Sequence, residues 1–413
     1  MLLDKTVQIS TDRPLIATPE LQLTNLLAGQ DRLKSVTKAL EQGGCDAVLL
    51  YDPVNIRYAT DTSNMQIWTM HNFERYALVF ADGYVVLWDF FNCDHLSEAN
   101  CQVDEIRTAI SWSFFSAGDR AREKAKAWAD EINDVLRQRL GDTGKLAIDW
   151  NISETSALIS AKGHTVVEGE SLMGKARLVK SDNELALMQY TIDICEIGIQ
   201  RMHDELKPGM SENELWAYLH FENIKHGGEW IETRIMSSGP RTNPWMQESS
   251  SRIMQKGEIV NFDTDLVGPF GYLADISRAW TVGHTKPTDE QRKLYSLAHE
   301  QIQTNQSILK AGMSYREFSE LAWEIPEKYY ANRYCVMAHG VGMADENPAI
   351  MHAGADWKNS GYDGIFKENM VMCIESYIGE AGANQGIKLE EQVVVTADGV
   401  KAMSHYPFEE HWL

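Results

Sequence analysis

The chain lacks both a long apolar stretch and a paired cysteine motif. No segment of its 413 residues approaches the ~18 consecutive apolar residues of a membrane span. The six cysteines are scattered, with no Cys-x-x-Cys pair. This spacing disfavours a disulfide framework and a zinc–thiolate site, and predicts buried, reduced thiols in a cytoplasmic protein. They are Cys45, Cys93, Cys101, Cys195, Cys335 and Cys373.

A targeting segment and low-complexity sequence are also absent. The opening MLLDKTVQISTDRPLIATPELQ has no basic region followed by an apolar core, so we expect no signal peptide. Hydrophobic residues make up 44% and charged residues 24% of the chain, as is usual in globular proteins. A chain of this length predicts two or three domains.

Positive charge is scarce. The chain has 38 lysines and arginines against 60 aspartates and glutamates, a formal net charge of −22. Such a field repels nucleic acid and anionic membranes, so we expect neither as a partner. The acidic residues are spread along the chain, and some of them could be carboxylates that bind metal.

The order of predicted elements divides the chain near residue 170, into domains at 1–170 and 171–413. In the first, DAVLLY, YALVF, YVVLW and KLAIDW predict short buried strands among helices. In the second, EIVNFDTDLV with YLADISRAWTVG predicts one hairpin, and MVMCIESYIG with GIKLEEQVVVT predicts another. Two similar hairpins flanked by helices indicate an α+β domain with pseudo-twofold symmetry.

Both hairpins carry carboxylates inside apolar sequence. Alternation along a strand predicts that Asp263 and Asp265 share a face, with Asp275 on the paired strand. Glu375 and Glu390 stand mid-strand in the second hairpin, and His339 stands in the glycine-rich AHGVG.

A single buried acid is most often paired with a base, and a single histidine is most often a core residue. Arg278, three residues after Asp275, could form such a pair. Arg278 and Lys388 are nevertheless two cations against five acids. Two divalent cations would neutralise the set, since carboxylates can bridge metals. Oxygen-rich ligation with one imidazole suits iron, manganese or cobalt, with zinc possible.

These residues resemble a known superfamily. The order Asp, Asp, His, Glu, Glu, with DIS-R after Asp275 and HGVG at His339, is similar to that of the creatinase–prolidase–methionine aminopeptidase superfamily. The resemblance spans residues of about 171–405 and implies a pita-bread catalytic domain with a dinuclear metal centre. The NIRYAT stretch resembles the N-terminal creatinase-like α/β domain of the same superfamily.

Four segments narrow the resemblance to one branch. DPVNIRYATDTSNMQIW, GGEWIETRIMSSGPRTNPW, NFDTDLVG and IKLEEQV resemble the dimethylsulfoniopropionate lyases of the DddP type. That branch carries an additional Asp ligand, here Asp263. The resemblance therefore implies six metal ligands: Asp263, Asp265, Asp275, His339, Glu375 and Glu390.

Two departures from the peptidase pattern agree with this branch. Peptidases of the superfamily carry histidines where this chain has Trp245, in SGPRTNPW, and in the segment after HG-x-G, where it has Asp345-Glu346-Asn347-Pro348. Removing groups that stabilise the intermediate of acyl transfer costs roughly 10²–10³ in rate each. Peptidase chemistry is thus disfavoured, and an Xaa-Pro peptidase remains the alternative function.

The resemblance also implies roles around the metals. Asp345 matches the catalytic base for elimination from a small zwitterionic sulfonium substrate; a turn or N-cap residue is the alternative. Tyr334, Trp68 and Trp245 are candidate aromatic contacts for the sulfonium, against core packing. Arg241 could bind the substrate carboxylate, against a structural salt bridge. The superfamily implies a homodimer in which the N-terminal domain reaches the partner's active site.

A non-enzymatic binding protein of this fold and a lyase for another small betaine are further alternatives. Retention of all the ligands argues against the first.

Overall fold

The computed structural model describes residues 17–150 and 153–413 in two compact units. The N-terminal unit spans Asn25–Ser181, and the C-terminal unit spans Asp182–Leu413 with the described residues before Asn25. Within these ranges every helix is too short or too polar to cross a membrane. Most of the segment on which the signal-peptide expectation rests lies outside the described residues.

The N-terminal unit is a mixed sheet with helices. Its strands are β1 (Ala47–Leu50), β2 (Tyr76–Phe80), β3 (Val85–Asp89), β4 (Glu105–Thr108), β5 (Lys145–Ile148) and β6 (Thr165–Glu168). The helices are α1 (Pro19–Gly43, shared with the other unit), α2 (Pro53–Thr60), α3 (Gln66–Thr69), α4 (Phe114–Ala117), α5 (Ala121–Leu140), α6 (Ser153–Ser160) and α7 (Glu170–Arg177).

The six strands lie in the order β4-β3-β2-β1-β5-β6. The four predicted strands of this region are present as β1, β2, β3 and β5. The central strands β1, β2 and β3 are buried along their whole length, because helices and aromatic side chains cover them. The apolar runs in the sequence reflect this burial on both faces.

Helix α7 belongs to the N-terminal unit. Tyr58 Oη donates to Ala176 O at 2.9 Å, and Arg177 Nη1 donates to Asn55 Oδ1 at 2.9 Å. The chain passes to the C-terminal unit after this helix, between Ser181 and Asp182. The domain boundary at residue 170 stays a prediction.

Buried and half-buried acids in the N-terminal unit have individual partners. Asp89 accepts from Arg75 Nε at 2.9 Å, and Asp61 accepts from Arg32 Nη2 at 2.6 Å. Asp149 is buried and forms no ion pair with a described residue, but its carboxylate accepts backbone N–H groups, including that of Tyr51 at 2.8 Å.

The C-terminal unit has helices α8 (Asp182–Glu205), α9 (Glu212–Lys225), α10 (Asp289–Ile308), α11 (Tyr315–Leu321), α12 (Glu327–Tyr330) and α13 (Ala355–Ser360). Its strands are β7 (Trp230–Ile231), β8 (Met236–Ser238), β9 (Ile259–Asp263), β10 (Leu266–Val267), β11 (Leu273–Ala274), β12 (Ser277–Thr281), β13 (Ala338–Val341), β14 (Asp345–Ile350), β15 (Val371–Gly379), β16 (Gly386–Val395) and β17 (Val400–Ala402).

The second predicted hairpin is continuous, whereas the first is interrupted: its turn-side residues pair as β10 with β11 in a separate sheet, and Asp275 lies at the break and not on a strand. β9 pairs with β12, and β15 pairs with β16 over nine residue pairs from Val371↔Val394 to Gly379↔Gly386. β9 and β12 lie with β8 in a three-stranded sheet, and β15 and β16 lie in the five-stranded sheet β14-β13-β15-β16-β17. Asn261 Nδ2 donates to Gly386 O at 2.9 Å, which joins the two hairpins. All four strands are buried, and the acids lie where the hairpins meet.

Candidate metal centre

The first hairpin brings its three aspartates together, although not by simple alternation. Strand β9 ends at Asp263, and Asp265 has a left-handed backbone with φ of 36°. The expectation that both residues lie on one continuous strand face is therefore wrong. Thr264 stabilises the chain where the strand ends, because its Oγ1 donates to Ala274 O and accepts from Ile276 N, both at 2.9 Å. The carboxylates of Asp263, Asp265 and Asp275 nevertheless lie within 4.8 Å of one another.

The second hairpin places two glutamates directly opposite each other. Glu375 on β15 pairs in register with Glu390 on β16, and both are almost completely buried. Like charges that face each other across a strand pair destabilise a sheet. This position therefore requires compensating positive charge.

His339 is placed by strand β13. A register irregularity lies between His339 and Gly340, where a side chain on Gly340 would meet Asn347 O at 2.2 Å. Only glycine permits this close approach of β13 and β14. His339 Nε2 lies 3.4 Å from Glu375 Oε1, 3.5 Å from Asp275 Oδ2 and 3.6 Å from Glu390 Oε1.

Lys388 lies inside the cluster. Its Nζ is fully buried, 2.7 Å from Glu375 Oε2, 2.9 Å from Glu390 Oε2 and 3.1 Å from Asp263 Oδ2. It also donates to Ser277 Oγ at 2.7 Å. One lysine cannot balance five carboxylates.

The second cation considered from the sequence, Arg278, is committed elsewhere. It donates to Glu391 Oε2 at 2.9 Å and to the carbonyl oxygen of Tyr406 at 2.7 Å. Glu391 points to the opposite face from Glu390, as strand alternation requires. Arg278 therefore contributes no ion pair to the acids of the cluster.

The free oxygens of the cluster fit metal ions. Asp263 Oδ1, Asp275 Oδ1 and Glu390 Oε1 are buried and accept no hydrogen bond from the described residues. Asp263 and Glu390 turn their other oxygen to Lys388. Two sets of potential donors result, and Asp275 belongs to both. A buried acceptor without a donor is costly, and a divalent cation would satisfy several at once.

The pKa values of the acids also show that several buried negative charges lie close together without enough positive charge. Burial, followed by the charge of Glu390, raises the pKa of Asp263 to about 6 and that of Glu375 to about 7. Burial and neighbouring acids also raise the pKa values of Asp265 and Asp275. Burial opposes ionisation of Glu390 too, but Lys388 and His339 outweigh it and hold its pKa well below the usual value.

Asp345 lies on the open side of the cluster. Its side chain is 58% exposed, and its Oδ1 lies 3.6 Å from His339 Nδ1. Desolvation by the surrounding groups raises the pKa of Asp345, while His339 opposes the shift. Because the carboxylate still reaches solvent, it can exchange a proton with water.

Two of the predicted aromatic residues border the cluster. Lys388 Nζ lies 4.8 Å from the ring centroid of Tyr334 and 5.9 Å from that of Trp245. The backbone at Tyr334 is fixed because its carbonyl oxygen contacts His352 Nε2 at 2.9 Å. A cavity of about 350 Å³ is lined by Tyr334 but by none of the proposed metal ligands. Trp245 stacks on Tyr377 with centroids 6.2 Å apart.

The other two predicted substrate contacts have local partners. Arg241 forms an ion pair with buried Glu212 and donates to Glu248 O at 2.8 Å, the salt-bridge alternative raised from the sequence. Trp68 lies in the N-terminal unit, where its ring contacts Phe90 and Phe115. The substrate-binding role of each stays a prediction.

One residue of the centre was missed from the sequence. Cys373 Sγ lies within 4.8 Å of the donor atoms of Asp275, His339 and Glu390. The sequence contained a usable signal, because Cys373 and Glu375 are two apart on one strand and must share a face.

Comparison with known proteins agrees with this architecture. The model of metallopeptidase family M24 matches residues 186–397, and that of the creatinase/prolidase N-terminal domain matches residues 32–179. Dimethylsulfoniopropionate lyase DddP of Roseovarius nubinhibens is 39% identical over 399 residues, 95% of this chain and 88% of the relative. The DddP protein of Roseobacter denitrificans is 39% identical over 95% of this chain and 89% of its own length. The chain belongs to the DddP branch of family M24.

More distant relatives of this DddP-family chain are peptidases. Xaa-Pro dipeptidase of Pyrococcus furiosus is 25% identical over 91% of the chain and 98% of the relative. Among solved structures, the Xaa-Pro dipeptidase of Bacillus anthracis has a TM-score of 0.74 at 20% identity, with 92% of this chain and 99% of that one covered. This structural similarity and the two family matches confirm the predicted α+β pita-bread fold and its creatinase-like N-terminal domain.

Proposed function

We infer that this chain is a metal-dependent carbon–sulfur lyase that cleaves dimethylsulfoniopropionate to dimethyl sulfide and acrylate. The observation that carries the inference is the 39% identity, over 95% of the chain, to two relatives named dimethylsulfoniopropionate lyase. The peptidase relatives are 25% identical or less among those compared above, so the lyase is favoured over the Xaa-Pro peptidase.

Two divalent metal ions are proposed to complete the centre. Asp263, Asp265, Asp275, His339, Glu375 and Glu390 would hold them, and the buried carboxylate oxygens without donors support this set. Iron is the expected metal, with manganese, cobalt or zinc as alternatives. When bound, the ions would neutralise the substrate carboxylate and so acidify the adjacent C–H bond.

Asp345 is proposed as the base. Its carboxylate takes the proton from the carbon next to the substrate carboxylate. The C–H electron pair forms the carbon–carbon double bond of acrylate, and the C–S bond breaks with its electrons on sulfur, giving neutral dimethyl sulfide. No general acid is needed, because the leaving group carries no negative charge. Exposure of Asp345 lets the proton pass to solvent.

Aromatic faces are proposed to hold the sulfonium cation. Tyr334 and Trp245 support this role because both rings border the cluster and lie near the Lys388 ammonium. Cation–π attraction is worth about 0.5–2 kcal/mol for each contact. Trp68 would contact the sulfonium from the partner subunit. Arg241 would bind the substrate carboxylate only if its ion pair with Glu212 were broken.

The test is dimethyl sulfide release by purified protein loaded with iron or manganese. Asp345→Asn should abolish release while metal content, measured by mass spectrometry, stays unchanged. The matched control is Asp398→Asn, at an exposed aspartate of the same unit, which should keep full activity. Absence of product from the loaded wild type would overturn the lyase assignment, and proline release from Xaa-Pro dipeptides would favour the peptidase.

A homodimer in the cytoplasm is proposed as the working state. In the N-terminal unit, the Trp68 ring contacts Phe115, which is one of several exposed apolar side chains between residues 65 and 115. A patch of exposed apolar side chains marks an interaction site, and we propose that five of these residues form one. The set is Met65, Ile67, Phe91, Phe114 and Phe115, each at least 48% exposed. Light scattering should give the mass of a dimer for the wild type. The double variant Phe114→Ser/Phe115→Ser should have a mass closer to that of the monomer. A monomeric wild type would exclude the dimer.

A further inference from the structure

Cys373 faces the same interior as the proposed metal ligands. It lies on β15 two residues before Glu375, so both side chains project from one face of the strand. In the pairing of β13 with β15, Cys373 lies directly opposite His339. Side chains at such paired positions have Cβ atoms about 4.5–5.5 Å apart. Cys373 is fully buried.

The sulfur has only a weak contact of its own. Sγ lies 3.9 Å from Asp275 O, at the outer limit for a hydrogen bond from sulfur. It also lies within 4.8 Å of one donor atom each from Asp275, His339 and Glu390. Asp275 Oδ1 and Glu390 Oε1 are completely buried oxygens without a hydrogen-bond donor among the described residues. The two residues that supply these oxygens therefore belong to the same donor set as the sulfur.

The two sets of donors differ in chemistry. Asp275, His339, Cys373 and Glu390 offer nitrogen, sulfur and oxygen, whereas Asp263, Asp265 and Asp275 offer oxygen alone. Sulfur donors select zinc and other thiophilic metals, and carboxylates suit magnesium and manganese. Asp275 is common to both sets.

We propose that Cys373 donates its sulfur to the metal ion held by Asp275, His339 and Glu390, which makes the two metal positions chemically unequal. The mixed position takes the thiophilic ion, and the aspartate position takes the oxygen-preferring ion. This assignment rests on the proposed metal centre but not on the substrate, so a failure of lyase activity leaves it standing.

X-ray absorption of the zinc-loaded wild type, at one equivalent, tests the assignment directly. A sulfur neighbour should appear at about 2.3 Å from zinc. Cys373→Ser should lose this neighbour and keep nitrogen and oxygen neighbours. Cys45→Ser is the matched control, because Cys45 is also buried but belongs to the N-terminal unit and to neither donor set; it should retain the sulfur neighbour.

Competition between zinc and manganese gives a second readout. Mutating a residue that orients a metal ligand typically costs 10–100-fold in metal affinity, and loss of a ligand itself should cost at least as much. Cys373→Ser should therefore lower zinc affinity by about 10–100-fold while manganese affinity changes little. A wild-type spectrum without a sulfur neighbour would overturn the proposal even if the variant did not fold. Equal zinc affinity in the variant and the wild type would also overturn it, and failure of the wild type to bind metal would overturn both this proposal and the metal centre.

Discussion

The N-terminal unit and the carboxylate cluster of the C-terminal unit treat negative charge away from solvent in opposite ways. In the N-terminal unit, Asp89 is paired with Arg75, Asp61 is paired with Arg32, and Asp149 accepts backbone N–H groups. In the C-terminal unit, five acids form one cluster in which Lys388 contacts only Asp263, Glu375 and Glu390, and several of the carboxylate oxygens accept no hydrogen bond from described residues. Burial of an acid is therefore a poor marker of function. The excess of acceptors over donors is the informative property.

Asp263→Asn should give the largest effect. The change removes one carboxylate of the all-oxygen donor set and keeps the side-chain volume. Metal content should fall from two ions toward one, and dimethyl sulfide formation should fall by about 10³-fold, equivalent to about 4 kcal/mol. Without metal, the variant should be more stable than the wild type, since one repulsive charge is gone.

Mass spectrometry of bound metal and thermal unfolding of the metal-free proteins measure these effects. Asp398→Asn is again the control. A variant with both ions bound and normal turnover would remove Asp263 from the ligand set and weaken the functional assignment.

The same kind of change in the N-terminal unit should affect stability instead. Asp89→Ala leaves the Arg75 guanidinium buried without its carboxylate partner. Breaking a buried pair from one side costs about 3–5 kcal/mol. Denaturant unfolding should show this loss, while metal content is unchanged. Arg75→Met/Asp89→Leu should recover most of it; equal losses in the single and double variants would show that charge pairing is not the cause.

Metal removal should destabilise the C-terminal unit. A ligand present at 100 times its dissociation constant stabilises the native state by about 2.7 kcal/mol. Chelation should lower the unfolding midpoint of the wild type accordingly, and it should leave Asp263→Asn less affected. An unchanged midpoint after complete chelation would contradict the view that the acids need a cation.

The smallest effect concerns Asp149. Burial raises the pKa of Asp149 to about 6 from a usual value of 3.8. An acid with a raised folded-state pKa contributes its stability in full below the unfolded-state value and loses it as pH rises through the folded-state value. Lowering pH from 7 to 5 should therefore stabilise the N-terminal unit by about 1 kcal/mol. Asp149→Asn should lack this gain when unfolding is followed by tryptophan fluorescence; identical pH profiles would assign the effect elsewhere.

The fold and most of the cluster could be predicted from the sequence. The hairpin strands could be predicted because each is a short, mostly apolar segment. Glu375 and Glu390 lie in the middle of strands, so their positions follow from alternation and pairing. The order of the acids and His339 carried the resemblance to the superfamily. That resemblance assigned the role of catalytic base to Asp345, six residues after His339.

The remaining features depend on tertiary contacts. The left-handed backbone at Asp265 follows from the bonds that Thr264 makes across the turn, which no local pattern displays. Arg278 is near Asp275 in sequence but pairs with Glu391, because their strands bring them together. Cys373 was treated as an ordinary buried thiol because the six cysteines were judged only for paired motifs, and its position two residues before Glu375 was not used.

The facing glutamates also affect the motions of the hairpin. Glu375 and Glu390 lie near the middle of the paired segment of β15 and β16, where amide hydrogens normally exchange slowest with solvent. Without a cation, their repulsion should make this middle open more often than its flanks. The amides of Ile374 and Ser376 point to β16, since that of Glu375 donates to Met337 O on the other side. Their exchange should then report directly on metal occupancy, slow in the loaded protein and fast in the stripped one.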